Sequence, residues 1–276
     1  MLVGASAPGK PDMDRSSRIP QRSRERLLTA AALALLSTTA AGQPVDLTEL
    51  FKRLAPSVAV VEGLDASGQR HSQGSGVVTA GGVVTNRHVV AEAASIRVRK
   101  EGRTWSATVV GVDAEHDLAL LDVPGFAPRP LPLRPSAALE TGERVYAIGS
   151  PQGLELSLSE GLISSLRPYE GVHLIQTTAP ISRGSSGGGL FAAEGRLVGV
   201  TTFLVKEGQN LNFGLPTDWV AQLPEGPGAS TDTASQTAQD AFEWFLLGNE
   251  AAESGNWKQA IEAYREAVRL RPDGAG

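Results

Sequence analysis

The segment Gly74-Ser-Gly-Val-Val-Thr-Ala-Gly-Gly-Val-Val-Thr-Asn-Arg-His88 contains two short apolar runs with a pair of glycines between them. Runs that are rich in Val and Thr and bounded by Gly predict β-strands, here at Gly76–Thr79 and Val83–Thr85. His88 follows the second run, just before a short turn. The segment therefore predicts a β-structure that delivers a histidine at the end of a strand.

Short runs of this kind, broken by turns, continue from Val45 to about Leu223. The first group also contains the predicted strands Ser57–Glu62, Ser95–Lys100, Ser106–Val112 and Leu118–Val123. Pro124–Pro135 comes next, and its prolines argue against a central strand because proline has no backbone N–H to donate. The second group consists of Arg144–Gly149, Leu156–Ser165, Val172–Thr177, Gly189–Ala192, Leu197–Leu204 and Leu211–Leu215. Two groups with a connector between them predict a mainly β domain over residues 45–223, made of two antiparallel barrels or sandwiches in tandem.

The composition changes after Leu223. Residues 224–239 have no apolar period, which predicts a flexible linker. Asp240–Glu253 and Trp257–Leu270 have helical spacing. Small and bulky residues alternate in the tetratricopeptide pattern, at Trp244, Leu247, Gly248, Ala251, Ala260, Tyr264, Ala267 and Pro272. The pattern predicts a single tetratricopeptide hairpin over residues 240–272, a protein-interaction element, although an arbitrary helical hairpin could mimic it.

A single repeat of this kind cannot bury its own apolar face. We therefore expect the hairpin to pack on the barrels or on another copy of the chain.

The first residues have the composition of an export signal. Residues 1–26 carry six basic and three acidic side chains, Leu27–Leu36 is a short apolar stretch, and small residues including Ala40 and Ala41 follow. These are the three parts of a secretory signal peptide, and Met13 is a second candidate start. We predict residues 1–42 to be a signal peptide and leader, cleaved near Ala40 or Ala41, and the mature protein to be periplasmic or extracellular. The alternative is a buried helix or an uncleaved anchor, but the stretch is short for a stable membrane span.

Composition also excludes several function classes. The chain has no Cys, which removes thiol nucleophiles, disulfide scaffolds and thiolate zinc sites. Four histidines without an HExxH motif give little support to a catalytic zinc. Because residues 1–26 carry +3 of the total charge of −5, the rest of the chain carries −8, which repels a phosphate backbone. No metal, cofactor or nucleic-acid partner is therefore expected.

Three segments carry the residue types of nucleophilic catalysis. They are the segment ending at His88, the acidic run Asp113-Ala-Glu-His-Asp117 before an apolar strand, and the glycine-rich Ser182-Arg-Gly-Ser-Ser186-Gly-Gly-Gly-Leu190. A serine hydroxyl needs an imidazole to take its proton, and the imidazole needs a carboxylate to fix its tautomer. His88, Asp117 and Ser186 are the candidates for these roles. The order His, Asp, Ser differs from that of α/β-hydrolases acting on small esters.

The turn around Ser186 also predicts donors for a tetrahedral oxyanion. A tight Gly-x-Ser turn aims two backbone N–H groups at one point, here those of Gly184 and Ser186. The remaining histidines, His71, His116 and His173, are expected on the surface. His116 neighbours Asp117 and should point to the opposite face of a strand.

Five motifs together resemble the HtrA/Deg proteases: Thr85-Asn-Arg-His88-Val-Val, Asp117-Leu-Ala-Leu-Leu, Ala147-Ile-Gly-Ser-Pro-Gln-Gly153, Ile175-Gln-Thr-Thr-Ala and Gly184-Ser-Ser186-Gly-Gly. The resemblance runs from about Leu50 to Val220. It implies a trypsin-like fold of two barrels and a serine endopeptidase that acts on misfolded or signalling polypeptides of bacterial envelopes. By this resemblance His88 is the general base, Asp117 orients it and Ser186 is the nucleophile.

The resemblance also implies a specificity pocket, and the chain departs from the family pattern at two places. The positions that match the walls of the primary pocket are Ile181, Val205 and Leu211, all apolar, which implies a small aliphatic residue before the cleaved bond. Their other interpretation is as ordinary core residues. The family has Pro where this chain has Gly189, and a peptide-binding PDZ domain where this chain has the helical hairpin. The competing hypothesis is a catalytically silent protease fold that serves as a scaffold, with the hairpin as its working part.

Overall fold

The computed structural model describes residues 45–151, 156–169, 171–182, 184–206, 209–223, 233–253 and 255–272. The predicted signal peptide lies outside these residues. The described chain begins with helix α1, Leu47–Leu54, for which Asp46 is the N-cap. Its carboxylate accepts hydrogen bonds from the N–H groups of Thr48 at 2.9 Å and Glu49 at 3.2 Å. These bonds satisfy donors that the first helical turn leaves unpaired. A 3₁₀ turn, Ala55–Ser57, then leads into the first strand.

Six antiparallel strands close the first barrel in the order β1-β2-β3-β6-β5-β4. Their bounds are β1 Val58–Leu64, β2 Arg70–Thr79, β3 Gly82–Asn86, β4 Ser95–Lys100, β5 Arg103–Asp113 and β6 Leu118–Asp122. The short helix α2, Arg87–Val90, directly follows β3. The barrel closes because β1 pairs with β2 on one side and with β4 on the other.

Six further antiparallel strands close the second barrel in the order β10-β11-β12-β9-β8-β7. Their bounds are β7 Arg144–Gly149, β8 Ser157–Tyr169, β9 Val172–Thr177, β10 Gly189–Ala192, β11 Leu197–Lys206 and β12 Gln209–Pro216. No strand lies between β6 and β7, where only a 3₁₀ turn, Ser136–Ala138, and an isolated bridge between Leu133 and Leu197 occur. The mainly β architecture of two tandem antiparallel barrels is confirmed.

A separate apolar core lies between the two barrels. In the first barrel, Val78, Val83 and Leu121 belong to the barrel's own core, whereas their neighbours Val77, Val84 and Leu120 pack with second-barrel residues such as Phe191 and Phe213. Successive side chains of a strand point to opposite faces. Strands that are buried on both faces need continuous apolar runs, which is why Val-Val and Leu-Leu pairs recur here.

The C-terminal part is helical. After α3, Thr217–Val220, come α4, Thr233–Glu253, and α5, Trp257–Leu270. The first long helix begins at Thr233, earlier than the predicted Asp240. Its first turns are polar, so they carry no apolar period that could reveal them, and extending a helix already anchored downstream costs little. A Cβ atom at Gly248 would lie 2.4 Å from the ring of Tyr264, so the close approach of α4 and α5 requires a residue without a side chain there.

The helical hairpin packs on the barrels through aromatic rings. Phe242 and Phe245 of α4 contact Tyr169 at the end of β8, with ring centroids 5.1 and 4.8 Å apart. Phe242 also contacts Trp219 of α3 at 5.8 Å. One face of the hairpin is therefore covered by the rest of the chain. Among the helices in the described ranges, none combines the length and apolar character that a membrane crossing requires.

Candidate active site

His88 and Asp117 make two hydrogen bonds to each other. The imidazole Nδ1 lies 2.6 Å from Oδ2 of Asp117, and the backbone N–H of His88 donates to Oδ1 at 2.9 Å. The His88 side chain is 43% exposed, whereas that of Asp117 is 10% exposed. The carboxylate thus holds the ring by one nitrogen from the buried side. With Nδ1–H donating to Asp117, Nε2 is the basic nitrogen and the ring remains open to a substrate.

The backbone of Asp117 has an unusual conformation. Its φ is 56°, in the left-handed region that Asp tolerates better than most residues. Its carbonyl oxygen accepts hydrogen bonds from the N–H of Arg87 at 2.9 Å and from Nδ2 of Asn86 at 3.0 Å. Strand β6 begins only at Leu118, so Asp117 lies in the turn before the strand. Asn86 is thus a supporting residue that sequence reasoning missed.

The surroundings of His88 set its affinity for a proton. Burial works to lower the pKa of His88, but the charge of Asp117 and its hydrogen bond, together with the charge of Glu243 on α4, raise it. The raising effects prevail over burial and over the charge of Arg87, so the pKa of His88 lies above its ordinary value. The nearby carboxylates therefore favour the imidazolium form.

Ser186 lies in a turn between Gly184 and Gly187, which have φ values of 90° and 83°. Its carbonyl oxygen accepts a hydrogen bond from the N–H of Ser75 on β2 at 2.7 Å. Within the described part of the chain, no backbone carbonyl accepts a hydrogen bond from the N–H of Gly184 or Ser186. Within those described residues, the two predicted oxyanion donors are therefore not engaged with backbone carbonyls.

Gly187 brings the Ser186 turn against the chain that leads into His88. A Cβ atom at this position would lie 2.1 Å from the carbonyl oxygen of Ser75, 2.5 Å from Oγ1 of Thr85 and 3.1 Å from the backbone N of Asn86. Asn86 ends β3, two residues before His88. The structure thus places the Ser186 turn, from the second barrel, beside the His88 segment of the first.

Ser75 links the two barrels here by hydrogen bonds, and sequence reasoning missed this residue. Its hydroxyl donates to the carbonyl of Gly184 at 2.8 Å and accepts from the N–H of Ser150 at 2.8 Å. Its carbonyl accepts from Oγ1 of Thr85 at 2.7 Å. One fully buried serine of the first barrel therefore holds two segments of the second. Its only sequence signal is a hydroxyl between two glycines.

Gly189 is the position where the resemblance would have Pro. A Cβ atom there would lie 2.2 Å from the ring of Phe191, so this ring occupies the space that a side chain would need. Gly189 begins β10 and pairs with Ile148 of β7 and Val200 of β11. The strand after the Ser186 turn is therefore paired on both sides from its first residue.

Of the three predicted specificity residues, the structure describes the side chain of Ile181. Ile181 is buried and packs with the core of the second barrel. Val205 and Leu211 lie where β11 and β12 pair, opposite Asn210 and Leu204 respectively, but their side chains are outside the described part. Their assignment to a substrate pocket stays a prediction.

The surface position expected for His116 is wrong. His116 is only 8% exposed, and its ring stacks on Trp219 with centroids 3.8 Å apart. The expectation assumed a strand, whereas His116 lies in a turn in which face alternation does not apply. His71 is half-exposed and its Nε2 lies 3.2 Å from Glu92. In the ranges described above, no group of three or more His, Asp or Glu side chains could hold a metal ion.

Gly187→Ala is expected to lower the free energy of unfolding by about 3 kcal/mol or more and to abolish activity, because it adds a steric clash to left-handed strain. Gly68→Ala is the matched control. Gly68 has φ +80° but would place Cβ in open space, so only the strain of about 1–2 kcal/mol is expected. Urea unfolding and peptidase assays of both variants test this. Equal losses in both would show that Gly187 does not pack as described.

Two segments of the chain match known protein families. Residues 74–200 match the family described as Trypsin-like peptidase domain, and residues 241–273 match Tetratricopeptide repeat. The chain is 37% identical to mitochondrial serine protease HTRA2 of Bos taurus over 68% of its own length and 44% of that protein. It is 39% identical to periplasmic serine endoprotease DegP of Salmonella typhimurium, over 54% and 34% of the two chains. The chain thus spans less than half the length of these relatives.

Solved structures show the same likeness. An HtrA-type protease solved with a tripeptide has a TM-score of 0.57 and 33% identity, over 63% of this chain and 61% of that one. The serine endoprotease from Yersinia pestis has a TM-score of 0.57 and 30% identity, over 66% of each chain. The chain is therefore similar to HtrA-type serine proteases, with a match to a trypsin-like peptidase domain over residues 74–200 and to a tetratricopeptide repeat over residues 241–273.

Proposed function

We propose that this chain is a serine endopeptidase that hydrolyses peptide bonds of unfolded or regulatory envelope polypeptides. The observation that carries the proposal is the double hydrogen bond between His88 and Asp117, and the packing of Gly187 against Thr85 and Asn86, just before His88, supports it. A buried carboxylate that holds an exposed imidazole by Nδ1 is the arrangement needed to activate a hydroxyl.

The proposed reaction uses only side chains and backbone groups of this chain. The Ser186 hydroxyl attacks the substrate carbonyl carbon while Nε2 of His88 takes its proton, and Asp117 stabilises the imidazolium that forms. The N–H groups of Gly184 and Ser186 donate to the oxyanion. His88 then returns the proton to the leaving amine as the peptide bond breaks. A water molecule, activated by His88 in turn, hydrolyses the acyl-enzyme and restores the Ser186 hydroxyl.

The substrate and compartment are part of the proposal. Ile181, Val205 and Leu211 would form an apolar primary pocket, which favours cleavage after Val, Ala or a similar residue; a pocket of this kind gives graded preferences of about 1–3 kcal/mol per methylene. Residues 1–42 would direct export and be removed, with the mature chain beginning between about Ala40 and Gln43. The periplasmic name of the DegP relative supports this compartment.

Labelling with a fluorophosphonate probe, followed by peptide mapping, tests the reaction, and digestion of a denatured protein tests the specificity. We expect the label on the peptide that contains Ser186 and cuts after small aliphatic residues. Cuts concentrated after Lys or Arg would contradict the pocket assignment. A chain that neither takes the label nor cuts any unfolded protein would favour the catalytically silent scaffold.

The pH profile should show the raised pKa of His88. A general base acts only when it is unprotonated, so kcat/KM should fall as the pH falls through the pKa of His88. The midpoint of this fall, which is the acid limb of the pH profile, should lie above about pH 6.5, the ordinary pKa of a histidine. Glu243→Gln removes one charge that raises the pKa, so the limb should move to lower pH. Glu262→Gln, on the exposed face of α5, should leave it in place. A limb that moves equally in both variants would exclude a specific effect of Glu243.

A further inference from the structure

The turn that carries Asp117 has a second histidine and carboxylate pair. The N–H of His116 donates to Oδ1 of Asp113 at 3.1 Å, and Nδ1 of His116 lies 2.6 Å from Oδ2 of the same residue. Each end of the turn Asp113–Asp117 therefore has a carboxylate that is hydrogen-bonded to a histidine: Asp113 to His116, and Asp117 to His88. His116 is the residue directly before Asp117, so the position of its ring constrains the Asp117 backbone.

The ring of His116 is enclosed by aromatic side chains from three other elements. It stacks on Trp219 of α3 with an interplanar angle of 20°. Tyr169 of β8 and Phe242 of α4 meet it edge-on, with centroids 6.2 and 6.1 Å away. Two of these residues belong to the barrel domain and the third to the tetratricopeptide hairpin. The hairpin therefore contributes one wall of the pocket that holds His116.

The hairpin meets the same turn at a second point. Arg271, directly after α5, forms an ion pair with Glu115. Glu115 and His116 are adjacent, so α4 and the residue that follows α5 contact consecutive residues of one turn. These contacts end one residue before Asp117.

Asp117 needs such support because of its backbone. A non-glycine residue with φ of 56° is held there only when its surroundings require it. On one side the carbonyl of Asp117 is held by Asn86 and Arg87. On the other side the chain is held by His116, whose pocket is completed by Phe242.

We propose that the tetratricopeptide hairpin is a positioning element of the active site, acting through the His116 pocket to hold the Asp117 carboxylate against His88. This inference rests on the proposed peptidase function. A partner that drew the hairpin away from the barrels would loosen Asp117 and lower the turnover without touching the substrate cleft.

The test is Phe242→Ala in the chain with both domains, assayed on a short peptide substrate. We expect kcat to fall by about ten- to hundredfold, the range for a misplaced catalytic group, with KM little changed and the acid limb moved to lower pH. Phe242→Tyr, which keeps an aromatic wall, should restore most of the rate. Ile261→Ala is the control, because Ile261 lies on the same hairpin but is 50% exposed, and its activity should equal that of the wild type.

A proton NMR measurement separates this inference from the peptidase function. The low-field signal of the His88 Nδ1–H reports its hydrogen bond to Asp117 even in a Ser186→Ala background. We expect Phe242→Ala to weaken or shift this signal, and Glu115→Gln, which cannot unfold a core, to do so to a smaller extent. If the wild type is inactive, the proposed function fails but the signal still tests the positioning. If signal, kcat and pH profile are unchanged in both variants, the positioning proposal is overturned.

Discussion

Replacing Ser186 by alanine is expected to lower kcat by about 10⁴-fold or more, to the residual rate supplied by the oxyanion donors and substrate binding. Ser185 is its neighbour, but its environment differs. The carbonyl of Ser185 accepts hydrogen bonds from the N–H of Gly188 at 2.9 Å and from Oγ1 of Thr201 at 2.7 Å. The α-carbon of Gly149 on β7 closely faces Ser185, since a Cβ built there would lie 3.1 Å from the Cβ of Ser185. Ser185 thus packs on β7, and only Ser186 follows Gly-x in the register that aims two N–H groups at the oxyanion.

Ser185→Ala is the matched control for this prediction. It should cost about tenfold at most, or about 1.4 kcal/mol, through a looser turn. The measurement is hydrolysis of an unfolded protein by each purified variant, with folding checked by circular dichroism. An active Ser186→Ala variant beside an inactive Ser185→Ala variant would show that the nucleophile is one residue earlier.

Asp117→Asn is expected to lower kcat by about 10⁴-fold while leaving the fold intact. Asn tolerates the left-handed backbone that position 117 requires, and it has nearly the same shape as Asp. Its side chain, however, carries no charge to stabilise the imidazolium and favours the wrong tautomer of His88.

His88→Ala should lower kcat about as much as Ser186→Ala does. The double variant with both substitutions should be little worse than either single variant, because triad members act as a unit.

Asp122→Asn is the control for Asp117→Asn, because Asp122 is an exposed carboxylate at the end of β6, the strand that follows Asp117. Its kcat should equal that of the wild type. Steady-state kinetics and thermal unfolding of the variants give the result. Near-normal kcat in a folded Asp117→Asn variant would remove Asp117 from the mechanism, and additive losses in the double variant would mean that His88 and Ser186 act separately.

Local pattern was enough to predict much of the fold. The Val and Thr runs bounded by Gly predicted two groups of strands, because the spacing of apolar side chains along a strand depends only on near neighbours. Helical spacing predicted the C-terminal hairpin for the same reason. Residue type, chain order and the resemblance to HtrA/Deg proteases together selected His88, Asp117 and Ser186 as candidates. The structure joins His88 and Asp117 by a double hydrogen bond, and the catalytic roles of all three residues stay a prediction.

Tertiary structure decided what holds these candidates in place. Ser75 reaches the carbonyl of Gly184, 109 positions along the chain, and no local pattern marks it as the link between the barrels. His116 is buried because Tyr169, Trp219 and Phe242, all distant in the sequence, pack around its ring. The periodicity of apolar residues in a sequence indicates which side chains share a face of one helix or strand. The contacts of Ser75 and His116 depend instead on how the two barrels and the hairpin pack together. The sequence thus determined the elements and the candidate chemistry, and the meeting of distant elements decided which side chains support it.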